Sequence, residues 1–230
     1  MSPAWQILLS HPFLTRLDAI GWTVLATLIG LFFAAVGVIG ARVWLAWREH
    51  PLATAFRTAF VQIDTLADFA ALVNRPEATC HPFGRIAAAA CAAWTTSERR
   101  APLHRSEWLY RALQTQLERE VAEREWGLTL LATAANTAPY IGLFGTVWSI
   151  YHALTAIAIS GEASLTAVAG PVGEALIMTA IGLAVAIPAA IAHNLFVRHN
   201  RLVIPELEAF AHECYLLLTA ENEENAPRTP

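Results

Sequence analysis

The chain has 230 residues, 56% of them hydrophobic and 15% charged, with a formal net charge of −4. Soluble domains carry about a quarter charged residues, so the composition argues against a water-soluble globule, and the small negative charge offers no footing for nucleic-acid binding. Cys80, Cys91 and Cys214 lack C-x-x-C spacing, so no disulfide framework, metal site or cofactor is expected, and Cys80, His81 and Cys91 read as ordinary residues rather than ligands.

In chain order, residues 1–18 form a short segment whose first basic residue is Arg16, unlike the basic start of a cleavable signal, so the N-terminus is expected to be retained. Residues 19–43 make the first span, uncharged from 19 to 41 and flanked by Trp22, Trp44 and Trp47 at positions suited to membrane interfaces. Residues 44–125 are polar or amphipathic. Within them Leu109, Leu113, Leu117 and Val121 recur every four residues, which predicts a helix over 107–125 continuing into the second span. Glu107/Arg111, Arg119/Glu123 and Glu120/Arg124 are spaced as i,i+4 ion pairs. Residues 86–94 are an alanine-rich helix candidate, and Pro76, the His81 to Gly84 stretch and Pro102 mark loops or helix ends.

The second span is assigned to 126–157, a short turn to 158–168, the third span to 169–197, and a C-terminal helix and polar tail to 198–230. The fold class is therefore all-α, with three transmembrane helices extended by long cytoplasmic helices. Most arginines fall between the first two spans or after the third, and none in the turn between the second and third. That asymmetry puts the N-terminus outside and the large loop and C-terminus inside.

In the second span Pro139, Gly142, Thr146, Ser149 and Ala153 share one helical face. In the third, Ala175, Thr179, Gly182, Ala186, Ala189 and His193 do the same, with Leu176, Ile177, Leu183, Ile187 and Ile191 opposite. Small residues let membrane helices approach closely, so these stripes either pack helices or line a lumen, and spacing alone does not choose. Glu174 has two readings as well. An acid inside hydrocarbon is by default a proton or ion site. Alternatively, Gly170 and Pro171 start a helix and Glu174 complements its first turn. Glu174 and Thr179 stand about 140° apart on a helix, so one of them should face a neighbouring helix. Pro188 is a kink or hinge candidate. His152 and His193 read as interfacial or packed imidazoles. No nucleophile–base pair or phosphate loop suggests an enzyme.

The stretches APYIGLFGTVWSI (138–150) and GEALIMTAIGLAVAIP (173–188) resemble the core of the MotA/TolQ/ExbB proton channel family, and VAGPVGE (168–174) is nearer to ExbB than to TolQ. The resemblance runs over roughly residues 128–200. It implies an inner-membrane homo-oligomer, a pentamer, whose second and third spans surround the membrane helices of ExbD. It also implies coupling through TonB to outer-membrane import of iron compounds. It implies that Thr146, Glu174 and Thr179 belong to the proton pathway, with Pro139, Gly142, Gly145, Ser149, Ala175, Gly182, Ala186 and Pro188 lining the pore or packing the helices. The family commonly has Gly where Ser149 stands here. A TolQ-like envelope-integrity subunit and a non-conducting membrane scaffold are the alternatives.

Overall fold

The computed structural model describes residues 17–63, 65–100, 104–160 and 165–224. The expected N-terminal segment and C-terminal tail therefore fall almost wholly outside the described residues. All regular structure described is helical: α1 (Ala19–Phe60), α2 (Leu66–Val73), a 3-10 turn (Ala78–Cys80), α3 (Pro82–Arg100), α4 (Arg105–Glu125), α5 (Leu128–Ser160) and α6 (Leu165–Glu224). Among the described residues, three helical stretches are long and apolar enough to cross a membrane. α1 has 42 residues and α6 has 60. At about 1.5 Å per residue both far exceed the roughly 30 Å hydrocarbon core, so each extends beyond the lipid. α1 continues through Pro51.

Three expectations about helix boundaries are corrected. α4 and α5 are separate helices, broken at Trp126 and Gly127. Gly127 has φ +77°, and a Cβ there would lie 2.6 Å from Val38 Cγ1, so glycine is required on both counts. The helix at Gly170 and Pro171 has already begun by Leu165, which places Glu174 more than two turns in and removes the first-turn dipole reading. Most of the turn expected over 158–168 is helical instead, because α5 reaches Ser160 and α6 begins at Leu165; residues 161–164 lie outside the described residues.

The chain forms two compact units. The first joins residues 1–40 and 127–196. Its core is Val24, Leu25 and Leu28 of α1, Ala138 of α5, and Met178, Val185 and Ala186 of α6. Leu176, Leu183, Ile187 and Ile191 are exposed, as expected of side chains that meet lipid tails. The second unit joins residues 41–126 and 197–230. It buries a water-soluble type of core around Phe56, Phe60, Phe69, Phe83, Ile86, Leu109 and Phe210. The Phe210 ring lies 4.7 Å from Phe60 and 5.2 Å from Phe83, both edge-on. Leu109 and Leu113 are the buried face of α4 that the four-residue repeat predicts.

His81 fixes the start of α3. Its Nδ1 accepts the Gly84 amide at 3.1 Å, a cap on a helix whose first residue is Pro82. Burial, with the nearby Arg85 charge, holds His81 neutral, its pKa pushed down to about 4. The three cysteines are free, and no metal-ligand cluster occurs among the described residues. Of the three predicted i,i+4 pairs, Glu107–Arg111 forms at 2.7 Å. Glu120 and Glu123 turn instead to Arg85 on α3.

Candidate functional site

Within the first unit, α5 and α6 meet along the two small-residue stripes. A Cβ on Gly142 would lie 2.7 Å from the Met178 carbonyl oxygen, and one on Gly182 would lie 2.6 Å from that of Ala138. No side chain fits at either position, so the two backbones touch. Gly145 turns to α1, where an added Cβ would stand 2.9 Å from Val24 Cγ1. Ala175 and Ala186 are buried in the same region, whereas Pro139 and Ser149 are half-buried. Pro188 is exposed, inside an uninterrupted α6.

One turn along the seam from the glycines, Thr146 and Thr179 face each other with their hydroxyl oxygens 2.6 Å apart. Thr146 Oγ1 also stands 3.1 Å from the carbonyl oxygens of Gly142 and Ala175. It has one proton for three acceptors. When Thr179 donates to Thr146, Thr146 donates to a carbonyl, giving a short polarised chain across the helix pair. Thr146 is buried and Thr179 half-buried, so the pair is reached from the Thr179 side. Such a pair can orient a proton-bearing group or a water. It does not act as a general base, since neither hydroxyl ionises in the working pH range. Thr179 is thus a residue that faces a neighbouring helix, as the angular argument required of it or Glu174. The Glu174 side chain lies outside the described residues.

Sequence reasoning missed a second polar constellation in this unit. Asp18 Oδ1 accepts the Gly21 amide at 2.7 Å and so caps α1, while Oδ2 accepts the Trp148 indole N–H at 2.7 Å. His152 Nε2 stands 3.8 Å from Oδ2, and its ring lies 4.7 Å from that of Trp148. The indole hydrogen bond does most to hold the Asp18 carboxyl below its ordinary range, with smaller help from the Gly21 amide and the His152 charge. No spacing rule joins residues 18 and 148. The available signal was an acid at a helix start together with a Trp and a His on one face of another span. His193 is packed, its Nδ1 3.2 Å from the Leu128 carbonyl oxygen.

Residues 81–209 match the MotA/TolQ/ExbB proton channel family. The chain belongs to that family. It is 42% identical over 205 residues to "Biopolymer transport protein ExbB" of Xanthomonas campestris pv. campestris, covering 86% of this chain and 81% of the relative. It is 43% identical over 127 residues to the ExbB protein of Neisseria gonorrhoeae, covering 55% of this chain and 58% of the relative. "Tol-Pal system protein TolQ" of Pseudomonas aeruginosa is 43% identical over 112 residues, covering 49% of this chain and 48% of the relative. The family and these relatives are transport and channel proteins, which agrees with the absence of enzyme motifs in the sequence. The match includes α5 and the membrane part of α6, and so both threonines and Glu174.

Proposed function

We propose that the chain is the proton-channel subunit of an inner-membrane energy-transducing complex. In this reading it works with ExbD and TonB to drive outer-membrane import of iron compounds and similar nutrients. The observation that carries the reading is the Thr146–Thr179 contact, a polar pair buried between two membrane helices of a proton channel family chain. Hydroxyls are costly to place between lipid-embedded helices unless they are satisfied, and here one hydroxyl group can still engage a passing carboxyl. Several copies, a pentamer by family resemblance, would set their α5–α6 pairs around partner helices from ExbD. Thr146, Thr179 and Glu174 would then meet the partner acid that carries the proton. Pro139, Gly142, Gly145, Ser149, Ala175, Gly182, Ala186 and Pro188 would fix the helix spacing or line the lumen. One charge crossing 100 mV releases about 2.3 kcal/mol, enough to rotate or shift a helix against the touching glycine backbones. The arginine distribution supports an N-terminus in the periplasm and a C-terminus in the cytoplasm.

The test is motive-force-dependent iron uptake by cells carrying Thr146→Ala, Thr179→Ala or Glu174→Ala, with assembly checked by native mass measurement. Loss of uptake with intact complexes is the expected result. Full uptake in Glu174→Ala would remove that residue from the pathway. The likeness to TolQ of Pseudomonas aeruginosa supports a second reading, an envelope-integrity subunit. Detergent sensitivity without iron starvation in a deletion strain would favour it.

A further inference from the structure

A cluster of six charged side chains in the second unit, Arg42, Glu49, Arg85, Glu120, Glu123 and Arg124, has no part in the channel reading. Arg85 on α3 donates through Nε to Glu120 Oε1 at 2.7 Å. Its Nη2 reaches Glu120 Oε2 and, at 3.2 Å, Glu123 Oε2. Gln116 donates a further 2.7 Å bond to Glu120, which is fully buried. Arg42 of α1 directs its guanidinium to the backbone carbonyls of Arg124 and Trp126. Asn200 of α6 donates to the Arg124 carbonyl at 2.7 Å. Arg42 and Asn200 thus close the C-terminal end of α4, where carbonyls lack partners in their own helix.

Glu49 of α1 is placed differently. Its side chain is 13% exposed, yet its carboxylate stands 3.9 Å from Arg85 and 3.8 Å from Arg124. Three carboxylates share the guanidiniums of Arg85 and Arg124, because that of Arg42 is turned to carbonyls. Glu49 has the longest contacts of the three, and a buried carboxylate without a short donor is poorly stabilised in its charged form. We infer that Glu49 is the proton-binding member of this cluster and that its protonation tightens the hold of α1 and α3 on the last turn of α4.

The sign follows from linkage. Burial raises the Glu49 carboxyl above its ordinary range, outweighing the pull of Arg124 and Arg85, while Glu120 and Glu123 push it the same way. The closed cluster therefore binds the proton more readily than an opened one in which Glu49 meets water. The closed form gains as pH falls and loosens as pH rises through the raised value. Two other titratable neighbours act in the opposite sense. Burial lowers His199 of α6, which also faces Arg124, Glu206, Arg42 and His50. It lowers His81, which faces Arg85 and Glu120. Acid would loosen the structure around both, so the direction of the response identifies the group. On the proposed orientation, which the inference itself does not need, this carboxyl lies on the side where protons leave the channel.

The experiment is amide hydrogen exchange over residues 120–126 of the full chain in lipid nanodiscs, corrected for the intrinsic pH dependence of exchange. The native chain should exchange several-fold more slowly in mild acid than above neutrality. Glu49→Gln, which mimics the protonated acid, should keep the slow rate at every pH, and His199→Gln should keep the native response. A native rate independent of pH, faster exchange in acid, loss of the response in His199→Gln, or a fast-exchanging Glu49→Gln would each overturn the inference. Where Glu49→Gln does not assemble, the native chain and His199→Gln decide. Failure of proton conduction would refute the channel reading and leave this result untouched.

Discussion

Thr146 separates a packing role from a conducting one by magnitude. Hydrogen bonds between membrane helices are worth about 0.6 kcal/mol on average, because the separated helices find other partners. Thr146→Val keeps the shape and removes the hydroxyl that Thr179 contacts at 2.6 Å. It should lower stability by about that amount in thermal unfolding, too little to dissolve the fold. Loss of motive-force-dependent activity in this folded variant would then report the hydroxyl itself. The glycines behave in the opposite way. Gly182→Val places a Cβ 2.6 Å from a backbone carbonyl that cannot rotate away, and it should destabilise by about 1–3 kcal/mol, read as a lowered melting temperature. Both stripes were legible in sequence, since small residues three and four apart are a pattern any helix obeys. The pairing of Thr146 with Thr179 was not legible, because periodicity gives a face but not the register of one helix on another.

Among the elements, the end of α4 is the one that local rules misjudged. The run from 103 to 126 contains no Gly or Pro, which favours a continuous helix, yet the chain breaks at its end through a left-handed Gly127. Gly127→Ala should cost about 1–2 kcal/mol for the backbone conformation alone, before the clash with Val38 is counted. Gly37→Ala, on α1 with nothing within 4 Å of the added Cβ, should leave unfolding in detergent unchanged or slightly raised. Local spacing also misassigned charge. Glu120 could pair with Arg124 along its own helix, but α3 brings a partly exposed Arg85 within 2.7 Å of the buried Glu120 carboxylate. Buried ionic contacts of this kind are strongly destabilised when one partner is removed. Glu120→Ala should therefore cost about 3 kcal/mol, seen as a drop in melting temperature of the purified chain.

At the scale of the molecule, two compact units of different chemistry share one chain, and α1 and α6 run through both. One turns aliphatic side chains outward, and the other surrounds an aromatic core with charge. The second unit carries a pH signature of its own through His81. Its folded pKa of about 4 lies below the ordinary value of 6.5, so the folded form holds fewer protons than the unfolded one between them. Stability from this group is full above 6.5 and is lost as pH falls towards 4. A melting curve followed against pH should show that decline, and His81→Gln should flatten it. The sequence by itself determined the helical class, the three apolar spans, the small-residue stripes and the family motifs, because each depends on composition or on a period within one segment. The tertiary structure decided which threonine meets which, where α4 stops, and that Asp18, Arg42, Arg85 and Glu49 find partners far along the chain. Those contacts depend on the register between packed helices, which no single segment encodes.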